Sequence, residues 1–515
     1  MSATPDRWDA AAACIAVVSG ALLAAALGQD AGFDVKNYHW YAGFQLTAGR
    51  LDVDVAPAQI QGYFNPLIHL PLWFGTHLLG PRGAAMVLGG LHGLGPWLVW
   101  MIVRRLGRGR SSVVVGGLAA AAAAVGFTGA IGLVSVGTSS GDSLMPVFVL
   151  GGLLLLLPAG PSPGRGAVLV SGALVGAAVG LKPTVAMYAI GVVAAMVLVP
   201  PWPGARRALV PWLLGAAAAF AVVAGPWMVN LWVRYENPVF PLLNHVFGSP
   251  WATDFSYSED RLFPRTAREA WTFPLQFARG GTHGWEVPFR DARIAVLAVV
   301  GAAWAVGAAR ARGERPLSAG AAFLLAVMAV SYVVWQQASS VYRYLGVLEL
   351  LAPAWVAVVV AGPNLRPARV AAAGAVLGGL FLWVQPPKLD RVPFAAGSDP
   401  WSVEFTEPPE AGSIVLIAGS DALAYLVPSM PQARVLRPWS SLSYHDDATE
   451  TNALIRATLA DHTGPVYLLE GPNPSVAREV VAYLGFVMGP CTGVATSVDP
   501  EVALCRLTRS RAAAY

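Results

Sequence analysis

The chain has 515 residues, of which 55% are hydrophobic and only 12% are charged, whereas soluble domains carry about 25% charged residues. This composition excludes an ordinary soluble enzyme and indicates a multi-spanning membrane protein. The formal net charge of +4 argues against nucleic acid as a partner, because nucleic-acid-binding domains concentrate basic residues on one face.

Apolar runs that can cross a bilayer recur from residue 10 to residue 384. A crossing helix needs about 20 residues, and by that measure the sequence predicts about eleven spans. They lie near residues 10–28, 84–103, 112–131, 143–158, 167–183, 185–200, 209–229, 292–309, 317–336, 345–361 and 368–384. The first run could also be a signal peptide, but its acidic start with Asp6 and Asp9 favours a retained anchor.

Arginines follow every second predicted span. They are Arg104, Arg105, Arg108, Arg110, Arg165, Arg206, Arg207, Arg310, Arg312, Arg315, Arg366 and Arg369. Because positive residues accumulate on cytoplasmic loops, this pattern predicts a cytoplasmic N-terminus and an extracytoplasmic C-terminus. Long outer loops then cover residues 29–83 and 230–291. Lys36 and Lys388 are exceptions to the orientation rule, either candidates for a specific role or simply solvated outer residues.

The first outer loop begins with FDVKNYHWYAGFQLTAGRL, residues 33–51, which combines charged, amide and aromatic side chains. Further along, YFNPLIHLPLWFGTHLLG, residues 63–80, is apolar but interrupted by prolines, which favours a helix lying at the membrane interface. Asp52 and Asp54, close to Gly49 and Arg50, are interpreted as a solvated turn.

After residue 388 the hydrophobicity falls, and the pattern indicates a separate domain. Short apolar runs at 413–419 and 465–471 predict strands, and residues 448–462 and 473–486 have helical spacing. We therefore predict a mainly α membrane domain over residues 1–388 and a small extracytoplasmic α/β domain over residues 389–515. Cys491 and Cys505 could pair there, or both could remain free thiols.

Two basic residues stand at predicted outer ends of spans and are candidates for binding an anionic substrate. Lys182 ends the fifth span in GLKPT, and Arg343 precedes the tenth in VYRYLG. Fixed charge at membrane depth is costly unless it has a partner, so such residues often mark a site. The alternative for each is that the side chain extends to the interface without a further role.

Carboxylates near the first span are candidates for a general base. Asp34 is the first choice, because a carboxylate close to a substrate hydroxyl can accept its proton. Asp30 is the second, although Gly28 and Gly32 favour a loop over a helix that would align the two acids. Asp142, in TSSGDSL, could hold a substrate hydroxyl or, as the preferred interpretation, cap a helix.

The residues from about 10 to 345 resemble the GT-C type glycosyltransferases, integral membrane enzymes that take sugars from polyprenyl-phosphate carriers. The resemblance lies in the acidic and aromatic segment after the first span, the Pro-containing segment, the second span ending in VRRLGRG, and the pieces GLKPT and NPVFPLLNHVF. Many members have paired acids or a double proline where this chain has Asp34-Val35 and Asn65-Pro66. The choice between Asp30 and Asp34 therefore stays open, and so does the question of metal dependence.

The resemblance implies specific roles for individual residues. Asp34 takes the position of the base, Tyr38 and His39 stand beside it, and Lys182 and Arg343 match positions where such enzymes often place the donor phosphate. We also expect Asp142, Asp30 and Asn65 to contact substrate. No metal or other cofactor is expected, since His39, His69 and His77 lack the spacing of a metal site.

The implied function is inverting transfer of a sugar from a polyprenyl-phosphate-linked donor to a glycan, lipid or protein acceptor. It would take place at the outer face of a bacterial cytoplasmic membrane. The alternative is a transporter or flippase of lipid-linked saccharides, although the sequence has no twofold hydropathy repeat. A third possibility is that the C-terminal domain is an interaction module on an inactive membrane scaffold. The sequence does not specify the sugar or the acceptor.

Overall fold

The computed structural model describes residues 7–157, 160–254, 260–310, 318–397 and 399–510. The chain divides into two compact units, each assembled from three segments. The first unit contains Met1–Ala24, Met86–Gly225 and Ser258–Leu389, and the second contains Ala25–Ala85, Pro226–Tyr257 and Asp390–Tyr515. Arg312 and Arg315, used above to predict orientation, lie outside the described residues.

Helices dominate the first 383 residues, as the apolar composition requires, because a helix satisfies its own backbone hydrogen bonds in lipid. Their bounds are α1 (Arg7–Leu27), α2 (Trp40–Thr47), α3 (Leu70–Leu106), α4 (Ser112–Phe127), α5 (Ala130–Ser135), α6 (Gly141–Leu156), α7 (Arg165–Leu181), α8 (Ala186–Leu198), α9 (Leu209–Tyr235), α10 (Asn244–Phe247), α11 (Ala267–Arg279), α12 (Arg293–Arg310), α13 (Ala319–Ala338), α14 (Gly346–Ala361) and α15 (Pro367–Trp383).

An apolar helix occupies each segment for which a membrane span is predicted. Among the described residues, five helical stretches are long and apolar enough to cross a bilayer: Arg7–Leu27, Pro66–Leu106, Ala205–Tyr235, Ala319–Ala338 and Tyr342–Ala361. Shorter apolar helices occupy the other predicted spans. The chain is therefore a multi-pass membrane protein, and the direction in which its termini face stays a prediction.

In the first unit, α1 packs closely against α3 because both helices present glycine at the contact. A side chain at Gly89 would overlap the backbone of Gly20, and one at Gly93 would overlap that of Ala16. Small residues of this kind allow helices to approach closely in membranes. Asp9 on α1 adds polar contacts, since its carboxylate accepts a hydrogen bond from Trp100 Nε1 at 3.0 Å and lies 3.2 Å from Arg104.

The apolar segment after Asn65 forms a 3₁₀ turn, Pro66–His69, and continues directly into α3. Helix α3 is broken at Gly80, whose φ of 72° and ψ of 170° lie outside the helical region. Glycine tolerates this positive φ without steric cost. The break separates the predicted interfacial helix from the predicted second span, whereas the position of the first part at the membrane surface stays a prediction.

The C-terminal residues form a mixed six-stranded sheet with the order β3-β7-β8-β6-β4-β5. Its elements are β3 (Val403–Phe405), β4 (Ile414–Ala418), β5 (Arg434–Trp439), α16 (Glu450–Asp461), β6 (Val466–Glu470), α17 (Pro474–Tyr483), β7 (Phe486–Thr496) and β8 (Val502–Arg509). A separate short sheet pairs β1 (Gln29–Asp30) with β2 (Arg391–Val392). The strands and helices predicted from residues 413–486 are all present.

Strands β5, β4 and β6 run parallel, whereas β8 pairs antiparallel with both β6 and β7. Cys491 and Cys505 are opposite each other on β7 and β8 and form a disulfide bond. Of the two alternatives left open by the sequence, the structure therefore has the bonded pair. Cys14, on α1, is an exposed free thiol.

Candidate active site

A small pocket lies in the first unit, at the C-terminal end of α7 and the N-terminal ends of α6 and α14. The residues that line it are Asp142, Met145, Pro146, Lys182, Thr184, Val185, Met187, Tyr188, Arg343, Tyr344, Gly346 and Val347. The structure thus brings together three of the sequence-predicted site residues, Asp142, Lys182 and Arg343.

Lys182 is the residue that caps the C-terminal end of α7, where a positive charge interacts favourably with the helix dipole. Its ammonium group lies 2.5 Å from the carboxylate of Asp142, in the first turn of α6. The N-cap of α6 is Ser140, and the Asp142 side chain accepts a hydrogen bond from Lys182. The preferred interpretation of Asp142 as a helix cap is therefore replaced by an ion pair.

Tyr344 connects the two basic residues of the pocket. Lys182 Nζ lies 5.0 Å from the centroid of the Tyr344 ring, and Arg343 Cζ lies 5.6 Å from it. The buried hydroxyl of Tyr188 donates to the Tyr344 carbonyl at 2.6 Å. Two cations on one aromatic ring, beside one carboxylate, form a pocket that suits a phosphate group.

Contacts with buried aromatic side chains hold the segment that carries Arg343. The indole of Trp335 donates to the Val341 carbonyl at 2.8 Å, and Tyr342 packs against Phe277 and Phe289 with ring centroids 4.8 and 4.3 Å away. Tyr342 is fully buried, and its hydroxyl donates to Glu349 at 3.3 Å. Arg343 therefore extends from a segment whose neighbouring residues are fixed.

Glu349 is a buried polar residue that our sequence analysis missed, although it lies in the otherwise apolar run GVLELLAPAW. An acidic side chain in such a run is itself a signal of function. Its carboxylate accepts hydrogen bonds from the N–H groups of Ile131 and Gly132 at 3.0 and 2.9 Å. A side chain at Gly129, just before α5, would overlap this carboxylate, so the start of α5 packs directly against Glu349.

Asp291 and Arg293 form a second buried ion pair beside the start of α5, with an N–O distance of 2.5 Å. Asp291 also accepts from the Ala130 N–H at 3.1 Å, and Arg293 donates to the Val125 carbonyl at 2.6 Å. Together with Glu349 in the first turn of α14, these residues connect the N-terminal end of α5 to the starts of α12 and α14. We interpret them as groups that position the pocket wall.

Replacing Glu349 with leucine should destabilise the protein in detergent, because two buried N–H groups and the Tyr342 hydroxyl would lose their acceptor. Each buried group left without a partner costs about 1–3 kcal/mol. Glu349→Gln keeps one acceptor oxygen and should be less harmful. Thermal unfolding, followed by tryptophan fluorescence, ranks the stability of these variants, and the substitution Glu404→Gln at an exposed position is the control. Equal transition temperatures for Glu349→Leu and the native chain would contradict this role.

Asp34 belongs to the second unit and begins a helical segment. It precedes a π-helical turn, Val35–His39, which continues into α2. Such π turns are rare and are frequent at functional sites. Asp34 is partly exposed, whereas Asn37 is fully buried and its amide donates to Gln61 at 3.2 Å.

Tyr38 and His39 contact His69, which ends the turn that Asn65 begins. The imidazole rings of His39 and His69 stack with centroids 4.1 Å apart, and Tyr38 contacts both rings edge to face. The Asn65 side chain accepts from the Leu67 N–H at 3.1 Å and thereby begins the Pro66–His69 turn. In the part of the chain that the structure describes, no three His, Cys, Asp or Glu side chains are grouped to hold a metal ion.

Asp30, the alternative base, lies in β1 opposite Arg391 on β2. Its side chain accepts from the Gly32 N–H at 3.0 Å. Burial raises the pKa of the Asp30 carboxyl, whereas the Arg391 guanidinium and the Gly32 N–H lower it. Because Asp30 is in a strand, it does not share a helical face with Asp34. Arg391 is therefore a structural partner of Asp30.

Comparison with solved structures identifies a shared fold. A crystal structure of ArnT from Cupriavidus metallidurans bound to undecaprenyl phosphate matches with a TM-score of 0.52 and 13% sequence identity, over 97% of each chain. A crystal structure of the same protein in the apo state has a TM-score of 0.42, with the same identity and coverage. No family model and no curated protein sequence matches the chain.

At 13% identity the likeness to ArnT shows the fold alone. The expected architecture, a mainly α membrane protein of GT-C-like fold with a C-terminal sheet domain, is confirmed at that level.

Proposed function

We propose that this protein is a membrane glycosyltransferase that transfers a sugar from a polyprenyl-phosphate-linked donor to a hydroxyl group of a glycan, lipid or protein acceptor. The reaction takes place at the outer face of the cytoplasmic membrane. The observation that carries this proposal is the pocket in which Lys182 and Arg343 flank Tyr344. Support comes from the shared fold, since the matching ArnT structure has undecaprenyl phosphate bound.

In the proposed reaction, Lys182 and Arg343 bind the phosphate of the donor. The acceptor oxygen forms a bond to the anomeric carbon, while the bond between that carbon and the phosphate oxygen breaks. The phosphate leaves with the bonding electrons, and the two cations stabilise its negative charge. Such fixed charges act strongly where water is excluded. Attack opposite the leaving group inverts the anomeric configuration.

Asp34 is proposed as the general base that accepts the proton of the acceptor hydroxyl. Asp34 begins a helical segment at a π turn, the kind of local irregularity found at functional sites. Its position in the chain is also the one that the GT-C resemblance gives to the base.

The direct test uses purified protein in liposomes with a panel of radiolabelled undecaprenyl-phosphate sugars on one leaflet and an envelope extract as acceptor. We expect release of undecaprenyl phosphate and transfer of label to an extractable product. We also expect activity to survive EDTA, because no step needs a metal ion. Movement of intact donor between leaflets without release of undecaprenyl phosphate would identify a transporter instead.

A further inference from the structure

The first outer loop of the chain completes an edge of the C-terminal sheet. Val55 donates its N–H to the Val435 carbonyl at 2.9 Å, and Arg437 donates its N–H to the Val55 carbonyl at 3.0 Å. Residue 55 thus pairs in parallel with β5, the outermost strand of the sheet. An open strand edge is a template for another chain, and here the same chain occupies it.

A buried ion pair fixes this contact. Arg50 and Asp54 lie 2.6 Å apart with side chains that are 8% and 0% exposed, so the prediction of a solvated turn is wrong for Asp54. Asp54 also accepts from the Val435 N–H at 2.9 Å and from the Tyr41 hydroxyl at 2.9 Å. A buried charge pair is tolerated when further hydrogen bonds satisfy it. Asp54 therefore connects the sheet edge to α2, which continues the helical segment that Asp34 begins.

Arg50 extends the same network into the C-terminal domain. Its guanidinium donates to the carbonyl groups of Pro431 and Ala433 at 3.0 and 2.6 Å. Arg434 returns a contact, since its Nε donates to the Val53 carbonyl at 2.7 Å. Hydrogen bonds therefore run in both directions between residues 50–55 and residues 431–437.

Arg437 places the next part of the loop at the end of the parallel strands. Its buried guanidinium donates to Pro57, Gly419 and Asp421 carbonyls, each at 2.7 Å. Gly419 and Asp421 directly follow β4, and Ser441, after β5, donates its N–H to the Gln59 side chain at 3.2 Å. In open α/β sheets, ligands bind at this carboxyl end of the strands. In this chain residues 57–59 occupy it.

The beginning of the loop is held by the same domain. Lys36 lies 2.7 Å from Asp499, and both side chains are largely buried, so the alternative of a simply solvated Lys36 is excluded. The indole of Trp401 donates to the Asp30 carbonyl at 3.2 Å. The segment from residue 30 to residue 59, which contains Asp34, is thus bound to the C-terminal domain near both ends.

The hydrophobic core of the second unit is also shared among its segments. One buried cluster contains Ile60 and Tyr63 of the first loop, Leu231 of α9, Phe240 after α9, and residues of the sheet. The C-terminal domain therefore does not bury its apolar surface alone. The first loop is part of its core as well as of its edge.

We propose that the C-terminal domain is a positioning domain, which binds residues 50–59 at its sheet edge and so holds the segment that carries Asp34 in one arrangement. From the sequence alone, the role of this domain stays open, and one possibility is an interaction module. The structural part of the inference stands on the contacts above. Its kinetic consequence rests on the proposed function.

The test compares hydrogen–deuterium exchange of full-length protein in detergent for the native chain, Asp54→Asn and Arg434→Met. We expect residues 33–47 to exchange at least about tenfold faster in Asp54→Asn and less markedly in the milder Arg434→Met, because local openings depend on such contacts. Strands β4 and β6 should keep their protection. The control is Arg478→Met, which removes an exposed ion pair with Glu470 within the domain.

Unchanged exchange of residues 33–47 in both variants would overturn the proposal, as would equal loss of protection in β4 and β6. In transfer assays with undecaprenyl-phosphate sugar, Arg434→Met should lower kcat several-fold and leave the KM for the donor unchanged, because Lys182 and Arg343 are intact. A change in KM alone would contradict a positioning role. If no sugar transfer is detected in the native chain, the proposed function fails, and the exchange experiment still tests the structural inference.

Discussion

Replacing Asp34 with asparagine is expected to lower kcat for sugar transfer about 10²- to 10⁴-fold, the usual contribution of a general base. Asparagine has nearly the same shape as aspartate but does not accept a proton at neutral pH. The donor-binding residues are unchanged, so the KM for the lipid-linked donor should stay close to that of the native protein. Single-turnover release of undecaprenyl phosphate measures the chemical step directly.

Asp30→Asn is the matched control, because it removes the charge of the other acidic candidate four residues earlier in the chain. Asparagine can still accept the hydrogen bond from the Gly32 N–H that the Asp30 side chain receives at 3.0 Å. We expect this variant to retain most of its turnover. Full activity of Asp34→Asn together with loss of activity in Asp30→Asn would transfer the role of base to Asp30.

The membrane helices could be predicted from the sequence because the signal is local. A run of apolar residues with few charges is sufficient to indicate a helix in lipid, and each predicted run contains an apolar helix. The strands at 413–419 and 465–471 were also predictable, since both are short apolar segments followed by glycine. Strands β7 and β8 are not short apolar segments of this kind. Their residues also alternate only in part between buried and exposed positions, so neither strand pattern is clear in the sequence.

The polar contacts of the second unit could not be predicted, because their partners are far apart in sequence. Asp54 looks like part of a solvated turn until Val435, 381 positions away, donates a hydrogen bond to it. Lys36 likewise pairs with Asp499 across 463 positions. Spacing arguments apply within one helix or strand and do not extend across such separations. Glu349 differs, since its place in an apolar run was a signal that the sequence already contained.

Among the pocket residues, Arg343 and Lys182 should both contribute to donor binding. Lys182 is also paired with Asp142 at 2.5 Å. We expect Arg343→Met and Lys182→Met each to lower kcat/KM for the donor about 10²- to 10³-fold, the loss typical for one stabilising group. Arg343→Lys keeps the charge but loses the planar, bidentate geometry, and should fall between the native chain and Arg343→Met.

A double variant separates the charge of Lys182 from the effect of its partner. In Lys182→Met the Asp142 carboxylate remains without its ammonium partner and repels the incoming phosphate. Adding Asp142→Asn removes that repulsion, so the double variant should recover about tenfold in kcat/KM relative to Lys182→Met, a coupling typical of residues in contact. If the losses in kcat/KM of the two single variants add up in the double variant, Asp142 contacts the substrate itself. Binding isotherms with undecaprenyl phosphate compare the affinity of the same variants for the lipid phosphate, without the chemical step.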